Sequence, residues 1–146
     1  MAGVASDLHE AAAERLRELD QRYTANRRAI VAALAAAGGP ISLPELLSAD
    51  AELPQSSAYR NLGLLEEAGV VRRIVGGDFA RYELAEGLTE HHHHFICTSC
   101  GGIEDFTLPD DLEGQVERAL ARAARRNRFA GAHHRLDLIG VCARCR

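Results

Sequence analysis

Residues 53–74 read LPQSSAYRNLGLLEEAGVVRRI. A proline and a run of small hydroxyl residues come first. Tyr59, Leu62, Leu65 and Ala68 then recur at helical spacing, Gly69 supplies a stop, and VVRRI opens a β-branched run. The stretch predicts a helix that delivers the chain directly into a strand. After Gly76-Gly77-Asp78 comes FARYEL, so VVRRIV and FARYEL are expected to pair as a hairpin. Upstream, residues 7–21 place Leu8, Ala12, Leu16 and Leu19 on one face of an amphipathic helix. Thr24 is placed to cap a second helix carrying Ile30, Val31 and Leu34, with a stop at Gly38-Gly39. Ser42-Leu-Pro-Glu45 is a capping box that opens a short helix containing Leu46 and Leu47. Three helices and then a two-stranded hairpin form the pattern of a winged helix-turn-helix.

In that architecture the helix over about residues 56–68 is the recognition helix. Gln55, Ser56, Ser57, Tyr59 and Arg60 sit near its N-terminal end, where backbone N–H groups, hydroxyls and a guanidinium can meet phosphate and base edges of double-stranded DNA. Arg27 and Arg28 lie near the start of the preceding long helix, and Arg72, Arg73 and Arg81 lie on the hairpin. Of these, Arg27 and Arg73 are expected to join the DNA contacts. The competing expectation is that Tyr59 packs in the core and the arginines form a solvated face. Charge gives little help, because the formal net charge is −4 and the pI about 6.0. Residues 1–86 hold 9 Arg against 13 acids, and residues 87–146 hold 8 against 8. DNA binding therefore rests on a few placed arginines; lysine is absent from the sequence.

The four cysteines form two knuckles, Cys97-x-x-Cys100 and Cys142-x-x-Cys145. Four thiolates suit a tetrahedral structural Zn²⁺, with a small subdomain folded between the knuckles. The alternatives are two disulfides or free thiols, and a cytoplasmic chain disfavours stable disulfides. Nothing in MAGVASDLHE resembles a signal peptide, and no apolar run approaches the roughly 18 residues of a membrane span. A cytoplasmic location without membrane association is expected.

Just before the first knuckle stand four consecutive histidines, EHHHHFICTSCG over residues 90–101. In an extended strand neighbouring side chains alternate faces, so His92 and His94 point one way and His91 and His93 the other. One run can thus serve two metal sites if other ligands converge on both faces. Glu83 and Asp105 are candidates to complete the first, and Glu113 and His134 the second; a solvated polyhistidine stretch is the plain alternative. Imidazole with carboxylate suits Zn²⁺, Fe²⁺, Mn²⁺ or Ni²⁺. His9 and His133 have no comparable context and are expected on the surface. IEDF reads as a strand, Pro109-Asp-Asp111 leads into a helix carrying Leu112, Val116, Leu120 and Ala123 on one face, and HRLDLIGV alternates as a strand. So few strands leave edges and an apolar helix face to cover, which predicts a homodimer with paired recognition helices.

YTANRRAI, LPQSSAYRNLGLLEEAGVVRRI, RYEL, HHHHFICTSCGGIEDF and HRLDLIGVCARC together resemble the ferric uptake regulator (Fur) family across nearly the whole chain. The resemblance implies an α+β protein: a winged-helix DNA-binding domain over residues 1–84, a hinge over 85–90, and a small α/β dimerisation domain with structural zinc over 91–146. It implies a metal-dependent transcriptional repressor of metal homeostasis, not an enzyme. Cys97, Cys100, Cys142 and Cys145 then hold structural zinc, and Tyr59 and Arg60 touch operator DNA. Glu83, His92, His94 and Asp105 match the inter-domain regulatory site, and His91, His93, Glu113 and His134 a further site in the dimerisation domain.

Three departures bear on which metal is sensed. Many iron- and peroxide-sensing members supply a histidine from the N-terminal domain, yet here the matching region reads AAGGPISL and no histidine lies between His9 and His91. A residue such as His9 or Glu10 is then a candidate to complete the regulatory site. His93 stands where iron sensors commonly carry aspartate and is similar to zinc-uptake regulators, although ELAEGLTE lacks the cysteine of the actinobacterial type. Asp105 resembles the peroxide-sensing members. Regulatory zinc is favoured, with Fe²⁺ or Mn²⁺ in an iron- or peroxide-responsive repressor as the alternative. A metal-storage protein or a metallohydrolase would leave the Tyr59-Arg60 helix without a role.

Overall fold

The computed structural model describes residues 2–76, 79–131 and 133–146. Its first body contains α1 (Ala2–Arg17), α2 (Ala25–Ala36), β1 (Ile41–Ser42), α3 (Leu43–Ala49), α4 (Gln55–Glu67), β2 (Val71–Gly76) and β3 (Phe79–Leu84). The helix starts follow from local chemistry. The Thr24 hydroxyl accepts the Arg27 N–H at 3.4 Å to cap α2. Ser42 and Glu45 form a reciprocal capping box on α3, the Glu45 carboxylate accepting the Ser42 N–H at 2.7 Å. Gly69 adopts φ +71° just after α4, a conformation that costs glycine little and turns the chain into β2.

Two expectations need correction. The first helix begins at Ala2 rather than at residue 7 and ends at Arg17, because Asp20 takes a positive φ of 55° that no helix continues. Leu19 therefore leaves the helical face and is 40% exposed. The wing also carries a third strand: β1 pairs antiparallel with β3, Ile41 opposite Tyr82, giving the order β1-β3-β2. Two residues inside a capping box carry no strand periodicity. The expected turn at Gly77 and Asp78 lies outside the described residues. Ala12, Leu16, Ile30, Val31, Leu46, Leu62, Leu65, Val70 and Tyr82 fill one apolar core beneath α4.

A second body holds β4 (His93–Cys97), β5 (Ile103–Phe106), α5 (Asp110–Arg126) and β6 (Asp137–Gly140), in sheet order β5-β4-β6. β4 is antiparallel to β5 and parallel to β6. Only His93 and His94 of the histidine run lie within the strand; His91 and His92 precede it and keep the alternation. The apolar side of α5 is uncovered, with Leu112 and Leu120 exposed, as are Leu138, Ile139 and Val141 along β6 and beyond it.

The bodies meet through Ile74, Ile96 and Ile103. Contact is close enough that a Cβ on Gly76 would sit 2.9 Å from the Ile96 side chain, so only glycine fits there. Arg81 adds a hydrogen bond to the Gly101 carbonyl at 2.9 Å and an ion pair to Glu45 at 2.8 Å. The connecting segment docks on the first body: the Ala85 N–H donates to the Val70 carbonyl at 2.9 Å, and Leu88 packs against the apolar core. No helix among the described residues is long and apolar enough to cross a membrane.

Candidate metal centres and the DNA-facing helix

The structure gathers three groups of four potential ligands, each with its ligand atoms within 4.8 Å of one another. The first is Cys97, Cys100, Cys142 and Cys145, carried by the end of β4 and the tail after β6. None is in a disulfide, and Cys100 Sγ and Cys142 Sγ are 3.9 Å apart. Four sulfurs around a zinc at ~2.3 Å would be spaced about 3.8 Å, whereas a disulfide would bring two to about 2.05 Å. The thiols disagree over their protons. Backbone N–H groups of Cys100 and Cys142 pull Cys97 down to about 6. Cys145 accepts from the Ser99 hydroxyl but is pushed up to about 11 by its neighbours Cys142 and Cys100. A divalent cation would resolve that conflict by taking all four as thiolates, so the set fits structural zinc.

The second group spans the two bodies. Glu83 on β3 is buried and aims Oε2 at His92 Nε2 (2.9 Å) and His94 Nε2 (3.2 Å). Asp105 on β5 faces the same nitrogens at 3.9 and 3.7 Å. The other edges of both rings are occupied: His92 Nδ1–H donates to the Glu90 carbonyl at 2.9 Å, and His94 Nδ1 meets Asp137 Oδ1 at 3.2 Å. With Nδ1 donating, a neutral ring turns its Nε2 lone pair toward carboxylate lone pairs. Only a proton or a metal cation between them relieves that repulsion. Burial raises the Glu83 carboxyl, but hydrogen bonds from His94, His92 and Arg72 outweigh it and hold the group at about 2. Glu83 is therefore ionised, and a cation can take the place of the imidazole protons that face it. Sequence reading missed two members of the site. Arg72, placed from sequence only on the hairpin, turns inward to pair with Glu83. Asp137 lies opposite His94 in the parallel β4–β6 register, which sequence spacing does not reveal.

His91, His93, Glu113 and His134 form the third group. Glu113 Oε1 lies 3.2 Å from His91 Nε2 and 2.8 Å from His134 Nε2, and its Oε2 lies 2.8 Å from His93 Nε2. Several contacts are close yet misaligned. Among the described residues, His91 Nε2, His134 Nε2 and Glu113 Oε1 are buried without a hydrogen-bond partner, as are His93 Nδ1 and Glu86 Oε2. Buried unpaired polar atoms cost about 1–3 kcal/mol each, so several around one point fit a metal ion. His9 joins none of the groups: its Nδ1 bonds the Tyr23 hydroxyl at 2.5 Å, tying α1 to the loop before α2. His133 is exposed, as expected.

On α4, Gln55, Ser56, Tyr59 and Arg60 are exposed, and Tyr59 at 63% exposure is not a core residue. Arg73 on β2 is also exposed. Ser57 is half-buried and its hydroxyl accepts from Asn61 Nδ2 at 3.2 Å. Arg27 overturns its expected role, since only 8% of it is exposed and its guanidinium is used internally. Its Nε donates to Asn61 Oδ1 at 3.0 Å, and its other nitrogens donate to the Arg22 carbonyl at 2.5 Å and Gln21 Oε1 at 3.2 Å. It braces α4 from behind, with its guanidinium already committed within the protein. Arg81 is likewise committed to Glu45 and Gly101.

A winged helix joined to a small sheet domain by a shared ligand cluster defines the class: a DNA-reading module coupled to metal-binding groups. The chain belongs to the Ferric uptake regulator family, whose model matches residues 18–139. It is 33% identical to the Peroxide operon regulator of Bacillus subtilis over 97% of this chain and 94% of that protein. Among solved structures it is similar to the Helicobacter pylori ferric uptake regulator Fur, described as having three functional metal binding sites. That likeness has TM-score 0.68 and 26% identity over 94% of this chain and 93% of that one. A zinc-bound manganese uptake regulator matches at TM-score 0.60 and 33% identity, covering 92% and 98% of the two chains. The chain is thus a metal-responsive regulator and not an enzyme.

Proposed function

We propose that this protein is a homodimeric repressor whose affinity for operator DNA is set by metal at Glu83, His92, His94 and Asp105, with zinc favoured. The observation that carries the reading is the reach of Glu83, from the strand leading out of the wing, into a cluster otherwise built by β4 and β5. A cation held there supplies a cross-link between the two bodies. Glu83 orients His92 and His94, Asp105 closes the open side, and Arg72 keeps Glu83 charged and aimed. With the angle between bodies fixed, the exposed Gln55, Ser56, Tyr59 and Arg60 of two subunits are presented together to successive major-groove segments, and Arg73 of the wing to the backbone. The uncovered apolar row Leu138, Ile139 and Val141, with the bare side of α5, forms the dimer surface. Cys97, Cys100, Cys142 and Cys145 hold a structural zinc that ties the tail to β4.

A preference for zinc rests on the histidine-rich third group, in which His91, His93 and His134 meet Glu113. The second reading, a repressor responding to Fe²⁺ or Mn²⁺, is favoured by the likeness to a peroxide operon regulator and a manganese uptake regulator and by the carboxylates Glu83 and Asp105. Fluorescence anisotropy on DNA from the protein's own promoter, with buffered Zn²⁺ or anaerobic Fe²⁺ titrated in, separates them. Tight binding at nanomolar or lower free zinc, a tenfold gain per ~1.4 kcal/mol of coupling, supports zinc sensing. A response to Fe²⁺ or Mn²⁺ alone moves the protein to the other branch. A His92→Ala variant that retains the full metal response would overturn the site assignment.

A further inference from the structure

We infer that Glu86 makes the third ligand group a second clamp between the bodies, through His91; the inference rests on the reading of the connecting segment as a metal-controlled hinge. Glu86 is three residues beyond Glu83, between two residues fixed to the winged-helix body: Ala85, bonded to the Val70 carbonyl, and Leu88, packed against the core. It therefore moves with that body. Its Oε1 contacts His91 Nδ1, while Oε2 is buried with no hydrogen-bond partner among the described residues. His91 turns its other nitrogen, Nε2, toward Glu113 Oε1, 3.2 Å away.

This is the arrangement in which a carboxylate takes the distal N–H of a metal-ligating histidine, fixing its tautomer and ring orientation. With Nδ1–H donating to Glu86, the Nε2 lone pair is directed into the space shared by His93, Glu113 and His134. Those three come from β4, α5 and the segment before β6, all in the second body. Glu86 is thus the carboxylate through which the first body grips this group, as Glu83 grips the other. Two carboxylates on one short segment, reaching opposite faces of β4, hold the hinge from both sides. Glu86 is a positioning residue that acts through His91.

The test uses full-length protein with its structural zinc, in a His92→Ala background that disables the inter-domain group, and Co²⁺ as the probe. Hydrogen exchange of residues 85–90 should slow when Co²⁺ binds. Adding Glu86→Ala should abolish that protection and weaken Co²⁺ binding, measured by chelator competition, by roughly 10–100-fold. Glu86→Gln, which keeps an acceptor oxygen for Nδ1–H, should recover part of the affinity. Imidazole ¹⁵N spectra should show His91 as the Nδ1–H tautomer, lost in Glu86→Ala and retained in Glu86→Gln. The inference is overturned if Co²⁺ binds without slowing exchange at 85–90, or if Glu86→Ala leaves protection and affinity unchanged. Neither result touches the regulatory reading, which fails separately if His92→Ala keeps its metal-dependent DNA binding.

Discussion

The two bodies are stabilised by different means. In the winged helix, leucines, valines and isoleucines from four helices and a sheet close over one apolar core. In the second body α5 has no buried residue, and only Ile96, Cys97 and Ile103 are buried hydrophobics of its sheet. Instead it brings imidazoles, carboxylates and thiols to three points, with Cys97, His93 and His94 buried among them. A domain of fewer than about 60 residues is marginal on apolar contacts, and the proposed metal and partner chain would supply the rest. The winged-helix half has its own apolar core, whereas the half carrying the ligand groups has little.

The strongest way to break that contrast is to remove a thiol. Cys97→Ala, or stripping of the proposed zinc, should unfold the second body and abolish dimerisation, since structural zinc contributes on the order of 10–16 kcal/mol in small domains. Far-UV circular dichroism should retain much of the helix signal while size-exclusion chromatography shows monomer. Full retention of the dimer would refute that dependence on metal. The converse substitution, Leu62→Ala, creates a cavity in the winged-helix core and should cost about 2–5 kcal/mol in urea melts. It should leave zinc content unchanged.

The junction is open to a pH test in protein stripped of regulatory metal. Glu83 is held at about 2, below its ordinary value of 4.5. Because the folded value is the lower one, its contribution is complete above about pH 4.5 and disappears as pH falls toward 2. Thermal melts between pH 5 and 3 should show a slope that Glu83→Gln flattens. At ~1.4 kcal/mol per tenfold change in proton affinity, the drop from 4.5 to about 2 corresponds to about 3.5 kcal/mol, which solvent screening lowers to on the order of 2. An identical slope in the variant would show that the carboxylate is not what joins the bodies.

Arg27 and Arg60 make the finest comparison. Arg60→Ala removes an exposed cation and should lower the slope of log affinity against log salt by about 1. Arg27→Met leaves Asn61 without its donor, at about 1–3 kcal/mol, and should weaken DNA binding with the salt slope unchanged. A reduced slope in Arg27→Met would return that residue to the DNA surface.

Much of this was legible in the chain itself. The Thr24 cap, the Ser42–Glu45 capping box, the Gly69 stop and the hairpin runs are local, and local chemistry settled their conformation. Period-two alternation sorted four adjacent histidines into two pairs, and the structure places each pair with the carboxylates and the histidine expected beside it. Missed features share one cause: they depend on what lies across from a residue in space. β1 exists only because β3 passes beside it. Arg27 looks like any surface arginine until Asn61 and the Arg22 carbonyl are placed around it.

By itself, then, the sequence determined which face each histidine takes, the cysteine knuckles and the helix with Tyr59 and Arg60 on it, because each depends on spacing along a single element. Tertiary structure alone decided that Arg27, Arg72 and Arg81 face inward and that Asp137 and Glu86 back His94 and His91. Those outcomes follow from strand register and from the angle at which one body docks on the other. Both are set by packing between residues distant in the chain.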